Sequence, residues 1–542
     1  MGPLGISFPT FSDLSVGQAA HYIAVLTLFV PLLYLVINEL IRYSVRLPGI
    51  PGPVGLPLVG NLWSIRKNAA EQYRIWSKRY GAVYQVSLGN VPIIVVNSAE
   101  SGRGLFGQHT SALSSRPEFY TFHKEKVLTG AATTVGTTPY SDSLKRRRKV
   151  TATALNRPSA QRYVAHLDLE TREFCKDLLV EGQWGKKAFD CYPSAQRLSL
   201  SLALTTNWGI RMESRDDRLF NEVIEVEDQV SRFRSVTGNL QDYIPLLRLK
   251  PFNQTVMKAK STRRRQDAYL DQLNRGLLDR MEKGIQSPCI QETIINDPDV
   301  RLNEEEVTSI NLTMISGGLD TVTTAVAWLI AVLAKRPDIQ EAAHEAIQEL
   351  HGAGSPLCDA NDDQKIPYIV ALVKEGLRMY TVLRLNLPRT SIKDITYDGM
   401  IFPKGTTFFL NAHACNMGRT SFPFHLMPPA DRIAEDPKLW HDPEVFRPSR
   451  WLEQPDAPLF TYGVGYRMCA GFLLANRELY LIVMRLICCF KIGLEGDVDL
   501  DPVRGTADPS KLVAQPHRFR ATFVPRDAEL LRKVLGETSS IQ

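Results

Sequence analysis

The loop from Phe460 to Gly471 constrains the fold more than any other segment, because it places one cysteine among glycines directly before an apolar helix. It reads FTYGVGYRMCAG, and the stretch Phe472–Ile487 that follows is apolar with helical spacing. Glycines let the backbone approach a flat ligand closely, while turn amides and the positive end of a helix favour thiolate over thiol. The pattern therefore predicts a ligating or reactive sulfur at Cys469.

A single cysteine is more often a small buried apolar side chain than a ligand, and Cys488 and Cys489 fit that interpretation. Cys469 differs because the whole pattern G-x-G-x-R-x-C-x-G surrounds it. An accessible cysteine inside an apolar body suits an axial ligand of haem iron, since a thiolate pushes electron density that favours cleavage of the O–O bond. The eight cysteines in 542 residues form no C-x-x-C pair, which argues against a disulfide scaffold or a structural zinc site.

A membrane anchor is predicted near the N-terminus. The segment Ala19–Ile37 is almost wholly apolar, and about 20 helical residues cross the hydrocarbon of a bilayer. No basic region precedes it and no small-residue cleavage pattern follows, which favours an anchor over a cleaved signal peptide. Because Arg42 and Arg46 come next, the positive-inside bias places the rest of the chain in the cytosol. Residues 1–18 are then a short lumenal tail, and residues 19–41 are the anchor.

The rest of the chain is predicted to be one mainly α domain with a minor β region. Residues 42–61 are rich in proline and glycine and indicate a stiff extended hinge, and no comparable linker recurs in residues 62–542. Amphipathic stretches dominate this part, and strand-like alternation is short. Helices are expected at Ala69–Tyr80, Ser159–Leu179, Pro193–Trp208, Arg215–Phe233, Gln254–Lys283, Asn303–Ala334 and Pro337–Leu350, and strands at Val83–Leu88, Pro92–Asn97 and Met400–Leu410.

Two classes of function are disfavoured by the sequence. The net charge of +6 over 542 residues is too dilute to indicate a nucleic-acid partner. Gly102–Gly107 matches G-x-G-x-x-G, but neither an amphipathic helix nor a second strand follows it. A dinucleotide site needs those glycines to open a helix inside a βαβ unit, so the match is not interpreted as one.

The predicted helix that begins at Asn303 carries two glycines in its middle. The segment reads GGLDT, from Gly317 and Gly318 to Asp320 and Thr321, and each glycine inside a helix costs about 1 kcal/mol relative to alanine. Close packing against another helix would explain the pair, and so would a widened groove that admits dioxygen. Both explanations stay open from the sequence alone.

The spacing of Glu375 and Arg378 puts opposite charges on one face of a predicted helix. Alone, such a pair is a surface ion pair worth under about 1 kcal/mol. However, the segment Phe446–Trp451, which contains Arg450, lies shortly before the cysteine loop. The order of these segments supports a common structural core.

Together these motifs resemble the cytochrome P-450 superfamily of haem-thiolate monooxygenases, over essentially the whole chain after the anchor. The cysteine loop matches the superfamily's haem-binding loop, with Tyr462 in place of the usual phenylalanine. The resemblance implies Cys469 as the axial ligand of haem iron and Arg467 as a partner of a haem propionate. It implies Arg389 and Arg148 as further propionate partners, although a leucine replaces the tryptophan that usually stands four residues before the latter.

The same resemblance assigns the remaining motifs. Asp320 and Thr321 correspond to the superfamily's acid–threonine pair, which supports oxygen activation and relays protons. Glu375, Arg378 and Arg450 correspond to its Glu-Arg-Arg core, which braces the haem loop and carries no chemistry.

Cofactor, partners and location follow from the resemblance as expectations. The cofactor is haem b, and electrons come from NADPH through NADPH–cytochrome P-450 reductase, with cytochrome b5 as an optional second donor. The basic run at residues 145–149 borders the face where an acidic reductase docks. The expected location is the endoplasmic reticulum membrane, with a single span, a cytosolic catalytic domain and no nucleic-acid partner.

Several stretches resemble the fungal group that hydroxylates small aromatic compounds: TFHKEKVLTG, KRRRKVTATALNRPSAQRY, DYIPLLR and the cysteine loop. That group includes phenylacetate, hydroxyphenylacetate, m-cresol and hydroxybenzyl alcohol hydroxylases. Phenylacetate members tend to carry glutamate where this chain has Asp320, which favours a phenolic, polyketide-type substrate and a role in secondary metabolism. The substrate pocket is expected to include Tyr120, Phe122, Ile315, Leu385 and Leu387.

Three alternatives to this function stay open: a catabolic hydroxylase of the phenylacetate type, a haem-thiolate isomerase that does not activate dioxygen, and a haem-binding sensor without turnover. The last two would not need the acid–threonine pair. Residues 418–430 interrupt the resemblance. They are either a tolerated surface loop or a retained intron, and the sequence of the transcript would decide.

Overall fold

The computed structural model describes residues 16–120, 123, 133–249, 254–297, 301–352, 357–418 and 440–536. Within these ranges, helices surround one long central helix, and three small sheets lie among them. Three predicted features lie wholly or mostly outside the described residues: the tail at residues 1–18 apart from 16–18, the pocket residue Phe122, and the insertion at residues 418–430 apart from Gly418.

Helices make up most of the described chain, as the hydrophobic periodicity predicts. They are α1 (Val16–Ser44), α2 (Leu62–Ile65), α3 (Ala69–Tyr80), α4 (Ala99–Gly102), α5 (Asp142–Ala154), α6 (Arg157–Arg162), α7 (Val164–Glu181), α8 (Tyr192–Trp208), α9 (Arg218–Arg234), α10 (Gln254–Glu282), α11 (Ile290–Asn296), α12 (Glu304–Lys335), α13 (Pro337–His351), α14 (Pro367–Met379), α15 (Ala412–Met417), α16 (Arg450–Glu453), α17 (Phe472–Cys489) and α18 (Ala528–Gly536). The segment after Gly102 continues as a short π-helix, Arg103–Gln108, so this G-x-G-x-x-G match does not open a βαβ unit.

The strands are β1 (Val83–Leu88), β2 (Val91–Val96), β3 (Arg389–Thr390), β4 (Ile395–Tyr397), β5 (Met400–Phe402), β6 (Thr407–Leu410), β7 (Phe490–Glu495) and β8 (Arg520–Pro525). One sheet has the order β1-β2-β6-β3, and the other two are the antiparallel pairs β4–β5 and β7–β8. The predicted strand Met400–Leu410 is therefore wrong as one element. A turn at Gly405 splits it into β5 and β6, and the φ of +91° at this residue is one that glycine adopts readily.

The central helix α12 begins where the sequence predicts, with a capping box. The Asn303 side chain accepts a hydrogen bond from the Glu306 amide at 2.9 Å, and the Glu306 carboxylate accepts one from the Asn303 amide at 3.2 Å. The helix has 32 residues, which gives a length of about 48 Å. It packs against α8, α14 and α17, so it lies at the centre of the helical part of the fold.

One predicted helix is interrupted. The stretch Ser159–Leu179 is divided at Tyr163, which has φ −90° and ψ 0° and lies between α6 and α7. The apolar spacing continues across the break, so the amphipathic pattern carries no signal for it.

Among the described residues, two helices are long and apolar enough to cross a membrane, α1 and α12. Most of α12 is buried inside the fold, as in the core helix of a globular protein, whereas the apolar face of α1 is exposed. Pro31 lies inside α1, which a spanning helix tolerates. The candidate anchor is therefore α1.

The proline- and glycine-rich segment Leu47–Asn61 is not a free hinge. The side chain of Gln85 on β1 accepts a hydrogen bond from the Leu47 amide at 3.0 Å and donates to the carbonyls of Leu47 and Ile50 at 2.8 and 2.6 Å. The Asn61 amide donates to the Ser87 carbonyl at 2.6 Å. Because both ends are bonded to β1, the segment belongs to the globular body.

Candidate active site and cofactor cavity

An internal cavity lies between α12 and the cysteine loop. Its volume is about 330 Å³, at the lower end of the roughly 300–1,000 Å³ of a typical ligand pocket. Cys469 and Gly471 line it from the loop, and Gly317 and Thr321 line it from α12. The cysteine loop and the two glycines of the central helix therefore face the same internal space.

The cysteine loop turns at two glycines. Gly463 and Gly465 have φ values of +75° and +68°, in the left-handed region that favours glycine. The Cys469 amide donates a hydrogen bond to the Tyr462 carbonyl at 2.9 Å, and the Met468 amide donates to the Gly465 carbonyl at 2.9 Å. These bonds fix the cysteine three residues before the start of α17.

The environment of Cys469 corrects one prediction. Its side chain has accessible surface, yet protein surrounds it, because that surface is a wall of the internal cavity. Burial raises the pKa of the Cys469 thiol, whereas the Gly471 amide and the Arg148 guanidinium act in the opposite direction. The loop alone therefore does not favour thiolate, since desolvation outweighs its amides. A metal ion at the sulfur would reverse this, because a coordinating thiol is deprotonated.

Four arginines line the cavity beside the loop: Arg116, Arg148, Arg389 and Arg467. In the part of the chain that the structure describes, none of them forms an ion pair with a carboxylate. Burial lowers the pKa of all four, to about 9 for Arg389 and Arg467, and repulsion among the four lowers it further at three of them. This concentration of uncompensated positive charge suits an anionic group in the cavity.

The hydrogen bonds of these arginines leave donors free for such a group. Arg467 donates to four backbone carbonyls at 3.0–3.2 Å, and Arg148 donates to the Met468 carbonyl at 3.1 Å. Arg389 donates to the Val464 carbonyl. Arg467 Nε and Arg389 Nη1 are buried and have no acceptor among the described residues. A flat cofactor with two carboxylates would supply the missing acceptors, so the residues present fit haem.

The two glycines in the middle of α12 have different structural roles. A Cβ on Gly318 would lie 3.2 Å from the Cβ of Ala203 on α8, whereas a Cβ on Gly317 would meet no atom within 4 Å. Gly318 therefore serves helix packing, and Gly317 leaves an open groove on the cavity wall. The Thr321 hydroxyl donates to the Gly317 carbonyl at the edge of this groove.

Asp320 lines the same cavity, beside Thr321. Burial raises the pKa of its carboxyl to about 7, and the nearby Glu227 and Asp228 raise it further, against Lys511 and Ser231. A carboxyl of this kind changes its proton near neutral pH, which is the property that general acid–base catalysis requires.

Glu375 is the centre of a fully buried charge network. Arg378 donates two hydrogen bonds to its carboxylate at 2.8 and 2.9 Å, and Arg450 donates one at 2.9 Å. The Trp451 indole and the Arg447 amide add bonds of 3.0 and 2.9 Å. The sequence alone could not distinguish this arrangement from a surface pair, because burial decides its strength.

A chain of hydrogen bonds joins this network to the cysteine loop. Arg378 contacts the Asn416 carbonyl at 3.4 Å. The Asn416 side chain accepts from the Phe460 amide at 2.8 Å and donates to the Thr461 hydroxyl at 3.0 Å, and that hydroxyl donates to the Leu377 carbonyl at 2.6 Å. The start of the loop is thus bonded to α14 and α15.

Of the predicted pocket residues, Leu385 and Leu387 line cavities next to the site. Ile315 does not, because it lies on the other face of α12 and packs with Leu200 and Leu204 of α8. Tyr120 also lies away from the cavity wall. Its ring lies 4.4 Å from the Arg248 guanidinium and packs against Ala259.

Two arginines of the cavity wall are not predicted from the sequence, Arg116 and Arg234. Arg116 belongs to an irregular segment, SSRPEFY, and Arg234 is the last residue of α9. Neither lies in a motif, and Arg116 has Glu118 two residues away as in an ordinary solvated loop, so the sequence carries no signal for either.

Comparison with known proteins gives results consistent with this geometry. The family model described as cytochrome P-450 matches residues 50–523. The chain is 58% identical to 3-hydroxyphenylacetate 6-hydroxylase of Emericella nidulans, over 96% of this chain and 98% of that one. It is 40% identical to phenylacetate 2-hydroxylase of the same organism, over 93% and 96%. A zebra fish cytochrome P-450 solved with abiraterone has a TM-score of 0.65 and 21% identity, covering 85% of this chain and all (100%) of that one, and this likeness shows the fold alone.

Proposed function

Because this chain belongs to the cytochrome P-450 family of haem-thiolate monooxygenases, we propose that it hydroxylates the ring of a small arylacetic acid such as a hydroxyphenylacetate. The observation that carries the proposal is the cavity of about 330 Å³ whose wall is shared by Cys469, the Gly317 groove and four arginines that have no carboxylate partner among the described residues. Two relatives whose printed names are those of arylacetate hydroxylases support the substrate class. A neutral m-cresol-like phenol is the competing substrate.

We propose Cys469 as the ligand of the haem iron, and Arg116, Arg148, Arg389 and Arg467 as the residues that hold the propionates. When bound, haem supplies the redox centre at which dioxygen is activated. The protein orients this group by the cysteine loop, and excludes bulk water by enclosing it. The Glu375 network holds the start of that loop through its bonds to Asn416.

Asp320 and Thr321 are proposed to move protons in the groove. The Asp320 carboxyl, with a pKa of about 7, can hold a proton on its oxygen and release it at neutral pH. The Thr321 hydroxyl, which donates to the Gly317 carbonyl, can turn towards a ligand in the open space at that glycine. An isomerase or a haem sensor would have no use for this pair.

Electrons are proposed to come from NADPH through the reductase, with cytochrome b5 as a second donor. The basic run of α5 offers fewer free charges than its sequence indicates, because Arg146 pairs with Glu306 at 2.6 Å and the buried Arg147 pairs with Glu305 at 3.1 Å. Lys149 and Lys145 remain exposed, although Lys145 pairs with Asp142 at 2.8 Å, and these two lysines are the proposed contacts to an acidic partner. With α1 as anchor, we place the enzyme in the endoplasmic reticulum membrane with its catalytic domain in the cytosol.

The test uses membranes that contain the full chain and a reductase. They are incubated with 3-hydroxyphenylacetate, phenylacetate, m-cresol and 3-hydroxybenzyl alcohol, and products are read by mass spectrometry. We expect a gain of one oxygen atom for an arylacetate and little conversion of the neutral phenols. The C469S variant should lose both turnover and the Soret band of the reduced carbon monoxide complex. Conversion of none of the four compounds would overturn the substrate proposal.

A further inference from the structure

A second cavity lies directly beside the first. Its volume is about 90 Å³, and residues of the start of α3, the segment after α9 and residues 509–512 form much of its wall. The two cavities share six wall residues: Arg116, Arg234, Leu383, Asn386, Leu387 and Leu512. The two cavities are therefore adjacent, and Arg234 lies at their junction.

The guanidinium of Arg234 has no hydrogen-bond acceptor and no ion-pair carboxylate within residues 16–120, 123, 133–249, 254–297, 301–352, 357–418 and 440–536. Two other cations on the same wall are satisfied. Arg116 donates to the Leu387 and Pro388 carbonyls at 2.5 and 2.7 Å, and Lys511 pairs with Asp228 at 2.7 Å. Arg234 is half-buried and lines both cavities, so its guanidinium is open to a ligand that enters either of them.

The acidic groups nearby do not supply that acceptor. Glu227 already accepts hydrogen bonds from three other side chains at 2.5–2.9 Å. Asp320 binds a proton up to about pH 7, and is therefore largely neutral in slightly acidic conditions. Burial lowers the pKa of Arg234, yet a guanidinium stays charged in proteins. Among the described residues no acidic group is left to pair with Arg234, and its place on the cavity wall suits an anionic ligand.

Arg234 has other charged neighbours than the four arginines of the cofactor cluster. Arg116 is repelled by Arg148, Arg389 and Arg467, whereas the charges that act most strongly on Arg234 are those of Glu227, Tyr269, Asp320 and Arg263. Arg234 is therefore available for an anion other than the cofactor carboxylates.

We propose that Arg234 binds the carboxylate of the substrate and thereby selects arylacetic acids over neutral phenols. This inference rests on the proposed function and names the residue that sets its specificity. A planar guanidinium can hold a carboxylate through two parallel hydrogen bonds, and Arg234 lines the same cavity as Gly317. A neutral phenol in the site would offer the guanidinium no charged partner. A site built for an ionic partner therefore rejects it.

The experiment measures binding to the purified full-length holoenzyme by equilibrium dialysis. The probes are 3-hydroxyphenylacetate, its neutral isostere 3-hydroxyphenylacetamide, and m-cresol. We expect R234Q to weaken the acid by at least about 30-fold while the amide changes by less than about 3-fold, because the loss of one partner of an enclosed charge pair is large. The affinity of R234K for the acid should lie between those of R234Q and the natural protein, since lysine keeps the charge and loses the bidentate geometry.

The matched control is R232Q, which removes an arginine two residues away on α9 that is exposed and paired with Asp228 at 2.9 Å. It should bind all three probes as the natural protein does. An unchanged acid-to-amide ratio in R234Q, or tighter binding of m-cresol than of the acid by the natural protein, overturns the inference. An equal loss for acid and amide marks a purely structural role and overturns it too.

Two further readouts separate this inference from the proposed function. The Soret band of the reduced carbon monoxide complex should be the same in R234Q and R234K as in the natural protein, which shows an intact haem site. If the natural protein binds the acid through Arg234 but forms no oxygenated product, the proposed function fails and the inference survives. If the natural protein oxygenates the acid and R234Q keeps the acid-to-amide ratio, the proposed function survives and the inference fails.

Discussion

The raised pKa of Asp320 predicts a measurable dependence of stability on pH. Its carboxyl has a pKa of about 7 in the folded protein against 3.8 for the free side chain, so the folded state binds the proton more tightly than the unfolded state. Stability therefore falls as pH rises from about 4 to about 7, and the loss is complete above pH 7. A difference of about three pKa units at 1.36 kcal/mol each amounts to about 4 kcal/mol, an upper limit because the side chain faces a cavity.

The D320N substitution removes this titration. The free energy of unfolding of D320N, relative to that of the natural protein, should rise by about 3 kcal/mol between pH 5 and pH 8. About two pKa units of the difference are expressed in that window. An unfolding entropy of about 2.1 cal/mol/K per residue gives about 1 kcal/mol per degree for a chain of this size. The difference in Tm between variant and natural protein should thus grow by about 3 °C.

The assay is scanning calorimetry of the full-length holoenzyme at pH 5, 6, 7 and 8. The matched control is E478Q, because burial raises the pKa of Glu478 on α17 to about 8, and it should show a similar gain at high pH. Only D320N should also lose oxygenation of the substrate while retaining its haem. A Tm difference between D320N and the natural protein that stays constant from pH 5 to pH 8 would refute the assigned cause.

Three further predictions concern the groove, the core and the reductase face. G317A should stabilise α12 by about 1 kcal/mol, since its Cβ meets no atom within 4 Å, and should still slow turnover by narrowing the groove. Its control G318A should gain less stability, because its Cβ lies 3.2 Å from Ala203; thermal melts and product rates check both. E375Q should lower stability by about 3–5 kcal/mol and reduce the haem content of purified protein, measured as the ratio of Soret to protein absorbance. The K145Q/K149Q double variant should slow reduction by the reductase at low salt and lose the salt dependence of that rate.

The parts of this fold that follow from local spacing could be predicted from the sequence. The bounds of α3 and the capped start of α12 agree because apolar periodicity and a capping residue act within one or two turns. The parts set by tertiary contacts could not. The segment Leu47–Asn61 has the composition of a linker, but its docking depends on Gln85, which is distant in sequence.

The candidate site divides in the same way. Cys469 and the acid–threonine pair lie in motifs whose spacing carries their chemistry, so they could be named before the fold was known. Ile315 is predicted in the pocket as a residue of the long helix. A difference of two positions from Gly317 turns its side chain by about 200°, into the cluster with Leu200. Sequence proximity on a helix is therefore a poor guide to which face meets the cavity.

The charges around the cavity separate binding of the cofactor from selection of the substrate. Glu375 satisfies Arg378 and Arg450 inside the protein, so that network needs no ligand and serves the loop. The cavity arginines lack such partners in the described ranges, and they fall into a group of four beside the loop and Arg234 at the junction. We propose that acidic groups from two different molecules complete the site, with the carboxylates of the cofactor at the group of four and the carboxylate of the substrate at Arg234. Relatives of this enzyme that act on neutral phenols would need to replace Arg234 or pair it internally, without any change in the group of four.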